Sequence, residues 1–139
     1  MRTGDAETYF FYGTLIDPDI RAAVLGRAAA DLSPVDDTLS GWRTVFVSGK
    51  TYPVIVPSAA HSVRGVRMAI PDPALRQRLR YFEGPEYDIA TLKLVSGESA
   101  NVFVGSKPGR PGSRGWEFDI WQRRHKARFL ARIRSAGRA

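Results

Sequence analysis

The chain has 139 residues and no cysteine, which allows one domain with a core and excludes disulfides, thiolate nucleophiles and cysteine-ligated metal sites. Such a composition fits a reducing cytoplasm, and because no apolar run nears the ~18–20 residues of a membrane span, we expect neither membrane insertion nor a signal peptide. The net charge is +7, but residues 1–106 carry 11 Lys/Arg and 12 Asp/Glu, so the excess lies in residues 107–139, with 10 and 2.

The first predicted elements are a strand, a turn and a helix. Residues 8–12 are apolar and aromatic, which predicts a short buried strand. Residues 13–15 follow as a glycine turn. Asp17 can cap a helix that has Pro18 at its first position and ends near Leu25, before Gly26.

The middle of the chain predicts a sheet with one more helix. Strands are expected at residues 38–47, 52–57, 63–70, 87–95 and 100–104. The proline pair after residue 70 predicts a helix over about residues 74–82, and its inner side comprises Leu75, Leu79 and Phe82. The strand count predicts an α+β fold with a small closed or strongly bent sheet.

The C-terminal quarter has a different composition. Residues 107–115 are rich in Pro and Gly and predict a mobile loop, and residues 116 to about 135 predict a basic helix. Its inner face would hold Phe118, Trp121, Phe129, Leu130 and Ile133. The helix is either a phosphate-binding arm or an amphipathic element packed on the domain, and we favour packing. We therefore predict one domain over residues 1–139, with its sheet over about 8–106.

Two features can carry chemistry. Glu83 follows the apolar end of a helix and precedes Gly84, a placement that could desolvate the carboxyl and let it exchange protons near neutral pH. A solvated glutamate at a helix end is the alternative, and placement alone favours it. The turn Tyr12-Gly13-Thr14-Leu15 can present N–H groups to a carboxylate, or it can be an ordinary turn.

Two tyrosines are further candidates, and several other classes of site are disfavoured. Tyr52 and Tyr87 could each aim a phenol into a cavity, although packing is the default expectation. The two histidines, His61 and His125, lack metal-ligand spacing, so we predict no metal site. No phosphate-loop or dinucleotide fingerprint occurs, and we predict no cofactor.

Five motifs, taken in order, resemble the γ-glutamylcyclotransferase-like superfamily, close to its AIG2-like branch. The resemblance covers about residues 8–104. The motifs are Phe10-Phe11-Tyr12-Gly13-Thr14-Leu15, Leu39-Ser40-Gly41-Trp42, Tyr52-Pro53-Val54-Ile55, Val63-Arg64-Gly65 and Phe82-Glu83-Gly84-Pro85-Glu86-Tyr87. The first and last motifs are each modest, and finding all five in register makes the resemblance considerably more specific.

The resemblance implies a small mixed β-barrel with flanking helices and a ligand cavity in the barrel. It implies that N–H groups around Gly13 to Leu15 bind a substrate carboxylate, that Glu83 is the general acid/base and that Tyr87 lines the site. Where many members carry Arg two residues after that tyrosine, this chain has Ile89.

Three hypotheses follow. The first is an enzyme that cyclises a γ-glutamyl amide or amine to 5-oxoproline and a free amine, without metal or cofactor. The second is a carboxylate-binding module without turnover. The third is a binder of nucleic acid or an acidic partner through residues 107–139, which we rank below a small-molecule γ-glutamyl substrate. The sequence leaves the oligomeric state open.

Overall fold

The computed structural model describes residues 7–85, 87–105 and 111–136, and they form the predicted α+β fold. The strands are β1 (Thr8–Phe11), β2 (Val35–Val47), β3 (Pro53–Ala69), β4 (Tyr87–Lys93), β5 (Ser99–Gly105) and β6 (Pro111–Gly115). The helices are α1 (Pro18–Leu25), α2 (Pro73–Glu83), α3 (Phe118–Arg124) and α4 (Lys126–Ala136). Two short 3-10 segments, Thr14–Ile16 and Gly26–Asp31, flank α1.

The six strands form one mixed sheet in the order β4-β5-β1-β3-β2-β6. Strand β1 runs parallel to β5 and antiparallel to β3. Among the described residues β4 and β6 are edge strands, each paired on one side only, so the sheet is open. The predicted barrel is therefore correct for the curvature of the sheet but not for its closure. That curvature brings the turn after β4 onto β2, where Val95 N–H donates to the Thr38 carbonyl at 2.9 Å.

Strand β1 is buried on both faces of the sheet, which explains its aromatic sequence. Alternate side chains of a strand point to opposite faces. Tyr9 and Phe11 therefore join the core beneath the helices, while Phe10 packs in a second cluster on the other face. A Cβ at Gly65 of β3 would lie 2.2 Å from the Phe11 carbonyl oxygen, so the close approach of β3 to β1 requires glycine there.

The first two helices begin at the predicted caps. The Asp17 carboxylate accepts hydrogen bonds from the backbone N–H groups of Asp19 and Ile20, and Asp72 accepts one from Ala74 N–H. The predicted inner residues of α2 are buried, namely Leu75, Leu79 and Phe82. These two helices thus follow their local signals closely.

Strand β3 is longer than predicted, because the strands expected at residues 52–57 and 63–70 form one continuous element. Its middle, including His61, is exposed and lacks the apolar alternation that reveals a strand. The pairing with β2 shifts register between Ser40 and Trp42, at Gly41 with φ of 89°. The exposed middle is therefore held by backbone pairing across an irregular stretch rather than by burial.

The prediction of an irregular loop over residues 107–115 was wrong for its second half. Residues 107–110 lie outside the described residues, while Pro111–Gly115 forms β6 and pairs with the outer side of β2. Proline is tolerated at the first residue of an edge strand, because no ladder hydrogen bond is lost there. Composition alone could not show that β2 leaves an edge available.

The single helix predicted over residues 116 to about 135 is two helices, α3 and α4, separated at His125. Trp116 lies before α3 and is buried, with its backbone N–H bound to the Thr44 carbonyl at 3.1 Å. Residues eight apart on a straight helix are separated by about 12 Å along its axis. The break brings the rings of Trp121 and Phe129 to 5.4 Å between centroids.

The C-terminal helices pack on the domain, as we favoured. Trp121, Phe129 and Ile133 are buried, and Phe118 and Leu130 pack against the same core. The basic side chains Arg123, Arg124, Arg128, Arg132 and Arg134 are exposed. The basic residues of this region therefore lie on the exposed face of two amphipathic helices.

Candidate functional site

The turn after β1 leads from the centre of the sheet into a cavity. It is a single 3-10 turn, closed by bonds from Ile16 N–H to the Gly13 carbonyl and from Asp17 N–H to the Thr14 carbonyl, each 3.1 Å. In such a turn the first N–H groups, those of Thr14 and Leu15, have no acceptor within the turn itself. Such groups can bind an anion that enters the cavity.

Gly13 is required by a close approach rather than by an unusual φ. Its φ is −123°, but a Cβ at this position would lie 2.8 Å from Cγ of Pro53. The pyrrolidine ring of Pro53 is held in β3 and cannot swing away as a long side chain would. The Gly13–Pro53 contact therefore joins two of the sequence motifs physically.

A buried arginine holds the other side of the turn. Arg21 Nη1 donates to the carbonyls of Leu15 and Ile16 at 3.0 and 2.8 Å. Arg21 is only 9% exposed and lies one helical turn after Asp17. Our sequence reasoning missed this residue, because an arginine in a short helix is ordinarily exposed. By binding these two carbonyls, Arg21 holds the last residues of the turn against α1.

Glu83 is the last residue of α2, and its partly buried side chain lines the same cavity as the turn. The helix ends at Gly84, whose φ of 84° is readily adopted only by glycine and whose N–H donates to the Arg80 carbonyl. Arg80 in turn donates through Nη1 to the Tyr87 carbonyl, which fixes the start of β4 relative to α2.

The cavity encloses about 230 Å³ and collects all the predicted site residues. This is somewhat below the roughly 300–1,000 Å³ of sites for drug-sized ligands, so it suits a small molecule. The predicted residues that line it are Tyr12, Gly13, Thr14, Leu15, Tyr52, Glu83 and Tyr87. Their individual roles stay predictions.

Two of the three tyrosines point their hydroxyls at backbone carbonyls. Tyr12 OH donates to the Phe103 carbonyl and Tyr87 OH to the Pro53 carbonyl, each at 2.6 Å. Burial, reinforced by the nearby charge of Glu83, raises the pKa of Tyr12 well above its usual value. Tyr12 therefore remains a protonated donor and supports the cavity wall.

The rest of the wall is aromatic, and sequence reasoning missed most of it. Phe82, Phe103 and Phe129 all line the cavity. Phe129 comes from α4, which lies beyond the region of the predicted resemblance, and its ring meets those of Phe82 and Tyr52 edge-on at 6.2 and 6.3 Å. The apolar face of the C-terminal helix could be predicted from the sequence. The surface that this face covers could not.

Lys50 also lines the cavity and was not predicted. It lies in the turn between β2 and β3, two residues before Tyr52. Ile89, at the position where the sequence resemblance implies Arg in many members, is 44% exposed on β4 and is absent from the cavity lining. The side chain at this position therefore leaves the described wall of the cavity unchanged.

A second, more open hollow of about 610 Å³ lies between β2, β3 and the start of α3. Asp36, Glu117 and Asp119 contribute to its lining, and it shares only Tyr12 with the first cavity.

Within residues 7–85, 87–105 and 111–136, no cluster of three or more His, Asp or Glu is arranged to hold a metal ion. In that same portion, no helix is long and apolar enough to span a bilayer.

Comparisons with known proteins identify the family of the chain. Residues 9–122 match the family described as gamma-glutamyl cyclotransferase, AIG2-like. AIG2-like protein A of Arabidopsis thaliana is 31% identical over 128 residues, covering 87% of this chain and 75% of that protein. The fold and the family match define a gamma-glutamyl cyclotransferase-like protein, as the sequence resemblance predicted. The chain belongs to the gamma-glutamyl cyclotransferase, AIG2-like family.

Solved structures show the same fold. A solution structure of an Arabidopsis thaliana protein superimposes with a TM-score of 0.60 at 28% identity, covering 94% of this chain and 92% of that one. A structure described as gamma-glutamyl cyclotransferase superimposes with a TM-score of 0.59 at 16% identity, covering 72% of this chain and 66% of that one. At 16% identity the second likeness concerns the fold alone.

Proposed function

We propose that the protein cyclises a γ-glutamyl amide or amine, releasing 5-oxoproline and a free amine, with Glu83 as the general acid/base. One observation carries the proposal: Glu83 and the Gly13–Leu15 turn line one small, largely buried cavity. Membership of the family supports the same reaction class. The substrate is accordingly a small molecule with a free α-carboxylate and α-amine.

Binding would fold the substrate for reaction. The α-carboxylate accepts hydrogen bonds from the N–H groups of Thr14 and Leu15. Their peptide planes are held by the hydrogen bonds that the Gly13 and Thr14 carbonyls accept within the turn. The aromatic wall packs against the methylene groups and excludes water. Because the amine and the γ-carbonyl belong to one molecule, holding it folded supplies much of the rate enhancement.

Glu83 would then move the protons. Its carboxylate takes a proton from the α-ammonium group, and the freed amine attacks the γ-carbonyl carbon to close the five-membered ring. As the bond from that carbon to the leaving nitrogen breaks, a proton returns from Glu83 to the leaving nitrogen. A second proton passes from the ring nitrogen to the leaving nitrogen, so the lactam keeps one N–H, the amine is released as an ammonium ion and no further reagent is consumed.

The test is turnover of a panel of γ-glutamyl dipeptides and γ-glutamyl amines by the wild type and by Glu83→Gln. We expect the variant to lose at least about 100-fold in kcat, within the range for a positioned acid/base, while its thermal unfolding stays unchanged. Glu98→Gln is the matched control, because Glu98 is exposed in the turn between β4 and β5. Equal activity of Glu83→Gln and the wild type would refute the assigned role.

The competing proposal is a carboxylate-binding module, to which Ile89 at the usual Arg position gives weight. It predicts that the wild type binds 5-oxoproline or glutamate-like acids in calorimetry but forms no product from any panel member. Turnover that depends on Glu83 would exclude it.

A further inference from the structure

Lys50 lies at the rim of the cavity that contains Glu83. Fifteen described residues line this cavity, and fourteen of them are buried or partly buried. Lys50 is the exposed one. A lining residue that remains exposed when its neighbours are covered marks the side on which the cavity opens to solvent.

The backbone at Lys50 is fixed by hydrogen bonds on both sides. Lys50 N–H donates to the Val47 carbonyl at 2.9 Å, and Val47 N–H donates to the Tyr52 carbonyl at 3.0 Å. Trp116 Nε1 reaches across from the segment before α3 to the Thr51 carbonyl at 3.0 Å. The β2–β3 turn therefore holds Lys50 at a fixed position on the rim, while its long side chain can adapt to a ligand.

The charges of the described lining residues are simple. Glu83 is their single acidic side chain and Lys50 their single basic one. In the proposed function, the α-carboxylate lies on the buried turn and the γ-carbonyl lies at Glu83. The amine that leaves must then extend from Glu83 towards the opening, where it meets Lys50.

We propose that Lys50 recognises a carboxylate on the leaving amine, so that the preferred substrates are γ-glutamyl amino acids or peptides rather than γ-glutamyl amines without an acid. This inference rests on the proposed function. An ammonium group at a partly screened rim contributes a modest interaction with a carboxylate, and we expect a preference of about three- to tenfold in kcat/KM.

The test uses two substrates that differ only in charge, γ-glutamylglycine and γ-glutamylglycinamide. We expect Lys50→Met to lower kcat/KM about three- to tenfold for the acid and to leave the amide unchanged. Lys50→Arg should retain most of the activity on the acid. The preference of the wild type should shrink as salt is added, because rim charges are screened. Lys93→Met, on the exposed face of β4, is the matched control.

The outcomes separate the inference from the proposed function. An equal loss on both substrates, or no loss on either, would overturn the role of Lys50 while Glu83-dependent turnover of either substrate still supported the reaction. Absence of turnover by the wild type on both substrates and on the wider panel would overturn both proposals. Unchanged thermal unfolding of Lys50→Met shows that any loss of activity reflects recognition and not folding.

Discussion

The ammonium group of Lys126 lies 2.8 Å from the carboxylate of Asp17, although the two residues come from opposite ends of the chain. The Asp17 side chain is fully buried, and Gln122 Nε2 donates to the same oxygen at 2.9 Å. Asp17 also caps α1, directly after the turn that reaches the cavity. This contact therefore ties the C-terminal helices to the segment that would bind the substrate.

We expect Lys126→Met to lower the free energy of unfolding by about 1–3 kcal/mol, measured by urea denaturation. The substitution keeps an apolar stem but leaves the buried Asp17 carboxylate without its cationic partner. Asp19→Asn is the control, because Asp19 binds the same lysine at 2.7 Å but its side chain is 63% exposed. Its effect should stay below about 1 kcal/mol. Equal losses in the two variants would contradict the importance of the buried contact.

Stability should fall on acidification because of two aspartates. Although burial raises the pKa of Asp17, hydrogen bonds from Lys126, Gln122 and two amides lower it overall. Burial also raises the pKa of Asp37, but hydrogen bonds from Ser96, Thr38 and Arg67 outweigh burial, and the pKa of Asp37 is lowered overall. A carboxyl group whose pKa is lower in the folded state stabilises the fold at pH values above its pKa in the unfolded state, which is about 3.9 for aspartate.

That stabilisation is lost as the pH falls through the folded pKa, because the unfolded state then binds more protons. We expect the free energy of unfolding to decrease from about pH 5 to about pH 2 and the slope to be shallower in Asp17→Asn. Asp37 would account for part of the remaining slope. Identical slopes in the wild type and Asp17→Asn would show that Asp17 does not have a depressed pKa.

Gly13→Ala should disturb the turn. The new methyl group would lie 2.8 Å from Cγ of Pro53, and relieving the clash must shift the turn or β3. We expect a loss of about 1–3 kcal/mol in unfolding free energy, together with weaker substrate binding. Gly115→Ala is the control: its Cβ would lie 3.7 Å from Arg43, an ordinary contact, and its effect should stay within about 0.5 kcal/mol. A neutral Gly13→Ala would mean that the turn can move without loss.

Phe129→Ala should destabilise the whole domain, although Phe129 lies in the basic C-terminal region. The ring is 1% exposed and contacts the rings of Phe82, Tyr52 and Trp121. We expect a loss of about 3–5 kcal/mol in urea denaturation. The effect of Arg128→Ala, one residue away and exposed, should remain within about 0.5 kcal/mol.

Truncation after Gly115 should abolish cooperative unfolding, because it removes the buried residues Trp121 and Phe129. A cooperatively folded truncated protein would instead favour an independent basic arm.

The sequence by itself determined the elements that depend on local signals, and it determined the family. Asp17 and Asp72 cap the predicted helices, and the aromatic run of β1 predicted a buried strand. These signals are readable because a cap or a buried strand depends on residues close together in the chain. The five motifs likewise predicted the family and the residues that meet in the cavity.

The tertiary structure decided the features that depend on distant partners. Strand β6 forms because β2 offers an edge, and the break at His125 accompanies the contact between Trp121 and Phe129. Arg21 is buried because its hydrogen-bond acceptors are the carbonyls of the turn, and Lys50 reaches the rim because the β2–β3 turn lies beside the cavity. Composition and periodicity cannot predict these acceptors, edges and neighbours, because such partners come together only when the chain has folded.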